Sequence, residues 1–236
     1  MIFDLLDATW PAAAVRRVGP WLVRDGQGGG SRVSAATALG PVRPADIVIA
    51  EQAMLALGQS ALFMIRDGDA LLDEILARAG YVIKDPVLAY AAPVTLLAAL
   101  HLPPKTAFQA WPPLAIQAEI WAEGGIGPER LAIMHRAAQP KVSFLGRVQD
   151  RPAGCAFVGM AGQGAMLHAL EILPTFRRHG LGRHLLIAAA RWAQAQGAPD
   201  LLLVVTRANL AANALYASLG MGIVGQYHYR IHPAAK

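Results

Sequence analysis

Arg177, Gly180 and Gly182 have the residue types and the spacing needed to hold a phosphate group. They lie in the segment 172–183, which joins an apolar stretch to the start of a predicted helix. Glycine reaches positive φ and lets the backbone approach a ligand without a Cβ, so successive amides of this turn could point at one anion. The first helical turn adds unpaired amides and the positive end of the helix dipole. With Arg178 next to Arg177 to supply charge, the segment predicts a pyrophosphate site.

Ordinary strand-to-helix connections can contain the same kind of turn, so the elements that follow are needed to interpret it. The next helix carries an apolar stripe at Leu185, Leu186, Ala189, Trp192 and Ala193. The continuous apolar run at 201–205 then predicts a strand buried on both faces. A second helix is expected to begin at Asn209, a good N-cap residue, to carry Tyr216, and to end at Gly220. One more strand is predicted over residues 223–231.

This order of elements resembles the GNAT superfamily of acyl-CoA-dependent N-acyltransferases over residues 142–232. The family's pyrophosphate signature, Arg/Gln-x-x-Gly-x-Gly/Ala, is met by Arg177, Gly180 and Gly182. A second signature, Asn-x-x-Ala-x-x-Leu-Tyr-x-x-x-Gly-Phe, is met by Asn209, Ala212, Leu215, Tyr216 and Gly220. Met221 replaces the aromatic residue that usually ends this signature. Two motifs in this order are more specific than either motif alone.

The resemblance implies acetyl-CoA as the co-substrate, with no metal ion. It also implies that the backbone of Ile172 and Leu173 pairs with the pantetheine arm and places an amide near the thioester carbonyl. The residues expected to contact the coenzyme are Ile172, Leu173, Arg177, Arg178, His179, Gly180, Leu181, Gly182, Arg183, Asn209 and Tyr216. The role of Asn209 is ambiguous, because N-capping alone explains an asparagine at that position.

Tyr216 is the general acid that the resemblance implies. When an amine attacks a thioester, the coenzyme thiolate leaves most easily if it receives a proton. An unperturbed tyrosine has a pKa of ~10, so the phenol is protonated at neutral pH and can donate. The alternative is a core tyrosine on an apolar helix face.

His168 and Glu171 are the two candidates for the general base. His168 is expected on the same strand face as Leu170 and Ile172, at a position that is histidine in the serotonin N-acetyltransferase branch of the family. An unperturbed pKa near ~6.5 would let it accept a proton directly or through water. Glu171 points to the other face of a regular strand, but a β-bulge would change its direction. Either residue could instead be a polar residue without a chemical role.

Composition and charge restrict the other classes of function. The 21 Lys and Arg residues exceed the 16 Asp and Glu residues by a formal charge of +5, which favours anionic ligands in general. The basic residues are scattered, so no nucleic-acid partner is predicted. Cys155 is the single cysteine, which excludes an intramolecular disulfide, argues against a Cys-ligated zinc site and favours the cytoplasm. The first residues lack the pattern of a signal peptide, and prolines and His101 interrupt the apolar segment 86–104, so no membrane span is predicted.

The amino-terminal half of the sequence contains a weak internal repeat. Shifted by 140 positions, residues 37–93 fall without a gap on the later coenzyme-binding segment. The helical stretches 45–57 and 70–79 then coincide with 185–197 and 210–219. The matched positions include Gly40 with Gly180, Gly80 with Gly220, Thr37 with Arg177, Val42 with Gly182 and Leu76 with Tyr216. The first copy therefore lacks the arginine, the second glycine and the phenol.

These observations predict an α/β fold with a mixed sheet and two GNAT-like domains. Residues 1–95 are expected to form a degenerate copy, 96–113 a connecting segment and 114–236 the catalytic domain. In the first domain, the glycine-rich segment 25–31 is interpreted as a hairpin turn between strands at 21–24 and 32–38, with a phosphate loop as the rival interpretation. In the second, helices are predicted at 114–122 and 128–138, and strands at 141–149, 154–160 and 166–173.

The function favoured by the sequence is an acetyl-CoA-dependent N-acetyltransferase acting on a small amine or amino-acid-like acceptor, as a monomer or homodimer. A protein or peptide N-acetyltransferase is the nearby alternative. A non-catalytic acyl-CoA-binding regulatory module is the third. Fold-level analogy does not decide among acceptors.

Overall fold

The structure, a computed structural model, describes residues 2–233. Its helices are α1 (Ile2–Thr9), α2 (Ser31–Ser34), α3 (Ile47–Ala56), α4 (Ala70–Arg78), α5 (Val94–Ala98), α6 (Ala115–Glu123), α7 (Pro128–Arg136), α8 (Leu181–Ala195) and α9 (Leu210–Ser218). Its strands are β1 (Ala14–Val18), β2 (Trp21–Asp25), β3 (Thr37–Ala38), β4 (Leu62–Arg66), β5 (Val82–Pro93), β6 (Ala107–Ala110), β7 (Lys141–Val148), β8 (Arg151–Ala161), β9 (Gly164–Ile172), β10 (Asp200–Thr206) and β11 (Gly222–Ile231).

The described chain forms two compact units whose boundaries differ from the expected ones. The larger unit contains residues 2–11, 89–205 and 209–224, and the smaller unit contains residues 12–88, 206–208 and 225–233. The segment 96–113, expected to be a connector, instead includes strand β6, which pairs with β7. Helix α1 belongs to the larger unit because its buried side chains pack on β8 and β9. Strands β5 and β11 each begin in one unit and end in the other.

The larger unit has a mixed sheet, which confirms the predicted α/β class. Its strand order is β5-β10-β9-β8-β7-β6, with β9 and β10 parallel and β6 to β9 successively antiparallel. Neighbouring residues of β8 identify the two faces, because Gly154 lies against Leu181 of α8 and Cys155 lies against Gln117 of α6. The predicted stripe of α8 is buried.

Strand β10 corrects the prediction of a strand buried on both faces. Leu201 and Leu203 are buried, at 0% and 1% exposure. Leu202, Val204 and Val205 are only partly buried. Because side chains alternate along a strand, one face of β10 is covered at Leu201 and Leu203, and the opposite face is not. The apolar run therefore identified the strand correctly but overstated its burial.

The smaller unit contains the three-stranded antiparallel sheet β1-β2-β3. The expected long strand at 32–38 is wrong, since residues 31–34 form α2 and β3 contains two residues. Gly30 has φ 96°, which turns the chain out of an extended path. Val33 is then buried as part of helix α2. The hairpin partner of β2 is β1, which pairs Val18 with Trp21 and Ala14 with Asp25.

The helix-turn-strand geometry after β4 recurs after β10 with the predicted shift of 140 positions. Helix α4 spans 70–78 and helix α9 spans 210–218, while β5 begins at Val82 and β11 at Gly222. Gly80 and Gly220 follow these helices with φ 87° and 76°. The backbone amide that follows each glycine donates to the matching carbonyl, Tyr81 to Leu76 at 3.0 Å and Met221 to Tyr216 at 3.1 Å. Each helix therefore ends with the same left-handed glycine cap.

Candidate functional site

Strands β9 and β10 pair only at the start of the candidate site. The paired positions are Leu201 with Ala165, Leu202 with Met166 and Leu203 with Leu167. Beyond them, β9 continues to Ile172 and β10 continues to Thr206. An extended ligand can pair with strand backbone of this kind in the way that a peptide adds to a sheet edge.

The predicted phosphate turn is formed at the start of α8. Gly180 is the N-cap residue with φ 78°, and Arg178 also has positive φ, at 67°. The backbone amide of His184 donates to the carbonyl of Gly180 at 3.1 Å and closes the first helical turn. The three amides before it have no carbonyl one turn earlier to bind within the helix. These amides belong to Leu181, Gly182 and Arg183. Burial lowers the pKa of His184, with Arg183 and His101 lowering it further.

Packing holds this turn in place. Leu181 is buried at 1% exposure and lies against the glycines of β7 and β8. A Cβ at Gly182 would lie 3.1 Å from Leu215 Cδ2, which is tighter than ordinary contact. The turn is therefore fixed between the sheet and α9, so its amides are preorganised to meet an anion.

Arg177 is folded back along the end of β9. Its Nε donates to the carbonyl of Ile172 at 3.0 Å, and its Nη2 lies 3.3 Å from Glu171 Oε1. The Arg177 side chain is 58% exposed, so it is accessible to a ligand. His179 Nδ1 lies 2.9 Å from the carbonyl of Arg177, which fixes the ring with the proton on Nδ1 if it is neutral.

A β-bulge in β9 brings both base candidates to the same face of the sheet. Phe157 pairs with His168 and Cys155 pairs with Glu171, so two steps along β8 match three steps along β9. Ala169 lies in the bulge with φ 50°. The expectation that His168 shares a face with Ile172 is therefore wrong. The alternative that a bulge redirects Glu171 is the arrangement observed.

His168 is buried at 3% exposure beneath α1. Thr9 Oγ1 donates to the carbonyl of Leu5 at 2.7 Å and lies 2.8 Å from His168 Nε2. Since the threonine hydrogen is already used, Nε2 must donate to Thr9, which assigns the proton to that nitrogen. Trp10 and Phe157 lie against the ring, with centroids 5.0 and 6.2 Å away. His168 therefore has the environment of a satisfied core histidine.

Glu171 lies at the carboxyl end of α6, with its side chain 18% exposed. A Cβ built on Gly124, the residue after α6, would lie 2.5 to 2.7 Å from the carboxyl group and its neighbouring carbon. Trp121 Nε1 donates to the carbonyl of Ala169 in the bulge at 2.8 Å. Burial raises the pKa of the Cys155 thiol opposite Glu171, and the carboxylate raises it further. Cys155 is therefore a neutral thiol beside the carboxylate.

Tyr216 is buried on α9 at 5% exposure. Burial raises the pKa of Tyr216 to about 12, with Tyr90 raising it further, so its phenol stays protonated well above neutral pH. Asn209 caps the helix as predicted, accepting from the amide of Ala212 at 3.1 Å. The ring of Tyr216 is thus held on a helix with a defined start.

Tyr90 is the neighbour of Tyr216 that the sequence did not identify. The two ring centroids are 5.6 Å apart, and Tyr90 Oη donates to Asn213 Oδ1 at 3.1 Å. Tyr90 reaches this position because the end of β5 lies in the larger unit, beside β10. No local signal predicts that placement. The repeat pattern does not show that β5 passes from the smaller unit into the larger one, which is what places Tyr90 here.

Among residues 2–233, no group of three or more His, Cys, Asp or Glu side chains could hold a metal ion. None of the described helices combines the length and the apolar character that a membrane-spanning helix needs.

The family model for the Acetyltransferase (GNAT) family matches residues 100–221. The uncharacterized N-acetyltransferase YobR of Bacillus subtilis strain 168 is 24% identical over 238 residues, covering 96% of each chain. A GCN5-related N-acetyltransferase from Kribbella flavida superimposes with a TM-score of 0.72 at 19% identity, covering 99% of this chain and 95% of the other. A functionally unknown conserved protein from Staphylococcus epidermidis ATCC 12228 superimposes with a TM-score of 0.73 at 13% identity, covering 96% of each chain. Because the family model matches more than half of the sequence, the chain belongs to the GNAT acetyltransferase family and is an N-acetyltransferase.

Proposed function

We propose that the protein transfers the acetyl group of acetyl-CoA to the primary amine of a small-molecule or amino-acid-like acceptor. The pyrophosphate binds at the turn 177–183, and the pantetheine arm lies where β9 and β10 separate. The observation that carries this proposal is the left-handed Gly180 cap at the start of α8, which follows a β9 strand that pairs with β10 only over residues 165–167. Amides at a helix start and an adjacent arginine are the groups that bind phosphate best.

The coenzyme would compete with Glu171 for Arg177. The guanidinium now contacts one carboxylate oxygen and one backbone carbonyl. A pyrophosphate offers more negative charge and bidentate acceptors, so Arg177 is expected to turn towards it. This movement frees the Glu171 carboxylate and the carbonyl of Ile172. We expect the Ile172 carbonyl then to accept a hydrogen bond from an amide of the pantetheine arm.

Glu171 is the proposed base and Tyr216 the proposed acid. The unprotonated amine nitrogen attacks the thioester carbon to form a C–N bond, and Glu171 accepts the proton that this nitrogen loses as the bond forms. The tetrahedral intermediate then breaks its C–S bond, and the thiolate takes the phenolic proton of Tyr216. Solvent returns a proton to Tyr216 and removes one from Glu171, so the transfer is balanced. The buried environment that raises the pKa of Tyr216 keeps this donor protonated between turnovers.

Glu171 is preferred to His168 because of their surroundings. His168 is only 3% exposed beneath α1, and its ring lies between aromatic side chains, so an amine has little access to it. Glu171 retains some exposure and contacts a residue that the coenzyme would move. A base must come within hydrogen-bond reach of the amine or of one bridging water.

A compact acceptor is supported by the confined position of the Glu171 carboxylate. It is 18% exposed and lies against Gly124 at the end of α6. An amine on a small molecule or a free amino acid can enter such a space without rearrangement of α6. A lysine on a folded protein would need to extend its full side chain into the site.

We also infer that the smaller unit contains the degenerate copy of the GNAT repeat. From the single cysteine, we propose that the protein is cytoplasmic. The recurring geometry of α4 and α9 supports the repeat. Leu76 stands where Tyr216 stands, so the first copy has no phenol for the acid step. The acetyl transfer is therefore assigned to the larger unit.

The test is thiol release from acetyl-CoA in the presence of amines, amino acids and peptides. Turnover with a small amine supports the proposal, and the acetylated product is identified by mass spectrometry. Turnover with peptides alone would favour the protein-modifying alternative. Glu171→Gln removes the proposed base and should lower kcat by ~100-fold or more while acetyl-CoA still binds. An equal loss in His168→Gln, with Glu171→Gln near wild type, would reverse the assignment.

A further inference from the structure

Helix α6 ends beside the bulge of β9, and two of its contacts are made to the segment that carries Glu171. We propose that Trp121 and Gly124 are positioning residues for Glu171. This inference rests on the proposed function, because it concerns the base of that reaction. Neither residue is assigned a contact with substrate. Their effect is to fix where the Glu171 carboxylate lies.

Trp121 fixes the backbone of the bulge. Its side chain is fully buried at 0% exposure, and Nε1 donates to the carbonyl of Ala169 at 2.8 Å. Ala169 has φ 50°, a left-handed conformation that is unfavourable for a residue with a Cβ. The indole hydrogen bond is one interaction that compensates for this cost. Without the bulge, Glu171 would point to the face of α8, away from α6.

Gly124 provides the space that the carboxyl group occupies. A Cβ at this position would lie 2.5 Å from Cγ, 2.6 Å from Cδ and 2.7 Å from Oε2 of Glu171. Real Cβ atoms do not approach other atoms so closely, so an alanine here would displace the carboxylate. Gly124 has φ −79°, which any residue adopts, so the effect of the substitution would be steric contact alone.

The two contacts act on different parts of Glu171. Trp121 sets the direction of the backbone, and Gly124 limits where the carboxyl group can lie. Arg177 holds the other side of the carboxylate at 3.3 Å until the coenzyme engages it. A base displaced by ~1 Å can lose on the order of 100-fold in rate, so small shifts at α6 should be visible in turnover.

The experiment compares Gly124→Ala and Trp121→Phe with Gly222→Ala, a control glycine with no atom within 4 Å of an added Cβ. Both test variants should lower kcat by ~10- to 100-fold and leave the acetyl-CoA dissociation constant within about twofold of wild type. The control should keep both values. Equal losses of coenzyme affinity and kcat, or a change of kcat below about twofold, would overturn the inference.

A double variant separates positioning from simple destabilisation. If Gly124 acts through Glu171, Gly124→Ala should have almost no further effect on kcat in the Glu171→Gln background. Full additivity would contradict the proposal. A crystal structure of Gly124→Ala provides a readout that needs no turnover, with the carboxylate moved off α6 as the expected result. An unmoved carboxylate would refute this inference, whereas an inactive wild-type protein with a moved carboxylate would refute the proposed function alone.

Discussion

Helices α9 and α4 have the same geometry in the larger and the smaller unit but different chemistry. Tyr216 of α9 corresponds to Leu76 of α4, and both are buried. In each unit, the residue three positions earlier on the helix accepts a hydrogen bond from a strand residue. Asn213 accepts from Tyr90 of β5, and Asp73 accepts from Arg230 of β11 at 2.7 Å. Tyr90 and Arg230 are themselves separated by the same 140 positions. The hydrogen bond between helix and strand is therefore repeated, whereas α9 has a tyrosine where α4 has a leucine.

The starts of helices α8 and α3 differ more. Helix α8 begins at Leu181, whereas α3 begins at Ile47, which corresponds to position 187. Gly180 is the left-handed cap of α8, while Gly40 is outside any helix and has open space around its Cα. In the smaller unit the first helical residues after Gly40 are Pro44–Asp46, so no helix starts directly after that glycine as α8 does after Gly180. A packed helix-strand scaffold can be kept when a ligand-binding turn is lost, because the two depend on different residues.

Replacing Tyr216 by phenylalanine tests the phenol that Leu76 replaces at the matched position of the smaller unit, and we expect the largest effect there. The ring and its packing remain, but the proton donor is removed, so kcat should fall by ~100-fold or more. Acetyl-CoA affinity, measured by titration calorimetry, should remain close to wild type. Leu76→Met is the matched substitution in α4 and should leave turnover unchanged. Wild-type kcat in Tyr216→Phe would remove Tyr216 from the mechanism.

Giving the larger unit the residues that stand at positions 37 and 42 of the smaller unit should weaken the proposed phosphate site. The double variant Arg177→Thr, Gly182→Val loses a guanidinium and places a branched side chain against Leu215. Loss of a charge-assisted contact of about 1.5 to 3 kcal/mol predicts at least a ~10-fold weaker dissociation constant for acetyl-CoA. Gly40→Ala, in open space, is the control. Unchanged affinity in the double variant would contradict the assignment of the turn.

Alkaline unfolding should distinguish Tyr216 from the leucine that replaces it in the smaller unit. The folded-state pKa of Tyr216 is raised to about 12. Its contribution is fully present below pH ~10, the unfolded value, and is lost as pH rises through the folded value. Between these limits wild type should lose on the order of 2 kcal/mol more stability than Tyr216→Phe. Denaturant titrations with identical pH dependence in both proteins would disagree with this account.

The smallest expected effect concerns the ion pair that replaces the Tyr90 contact in the smaller unit. Arg230, followed by His228, lowers the pKa of Asp73 through hydrogen bonds. The stability from this pairing is present above the unfolded pKa of Asp73 and is lost as pH falls through the folded value. On acidification, the free energy of unfolding of Arg230→Gln should therefore fall by less than that of wild type, with a difference of about 1 kcal/mol or less. The kcat at neutral pH should not change. A loss of turnover in this variant would contradict the assignment of the acetyl transfer to the larger unit.

Local signals in the sequence predicted the parts of the site that depend on near neighbours. The Gly180 turn, the Asn209 cap and the glycine after α9 are each encoded within a few residues, and all three are observed. The weak repeat also gave the correct spacing of α4 and α9. These elements follow from backbone conformation and helix capping, which a short segment determines by itself.

The features that escaped prediction depend on long-range packing. Tyr90 reaches Tyr216 only because β5 ends in the other unit, and Trp121 reaches the Ala169 bulge only after α6 packs on β9. His168 was a reasonable base by residue type, yet α1 covers it through a contact 159 positions away in the sequence. Periodicity contains no information about such pairings.

The most direct test of the account is a crystal structure of the protein with acetyl-CoA. We predict that the pyrophosphate accepts hydrogen bonds from the amides of Leu181, Gly182 and Arg183, and that Arg177 leaves Glu171 to contact it. The thioester should lie within reach of Tyr216. A coenzyme bound beside Gly40, or anywhere that leaves the Gly180 turn without a ligand, would contradict the central claim.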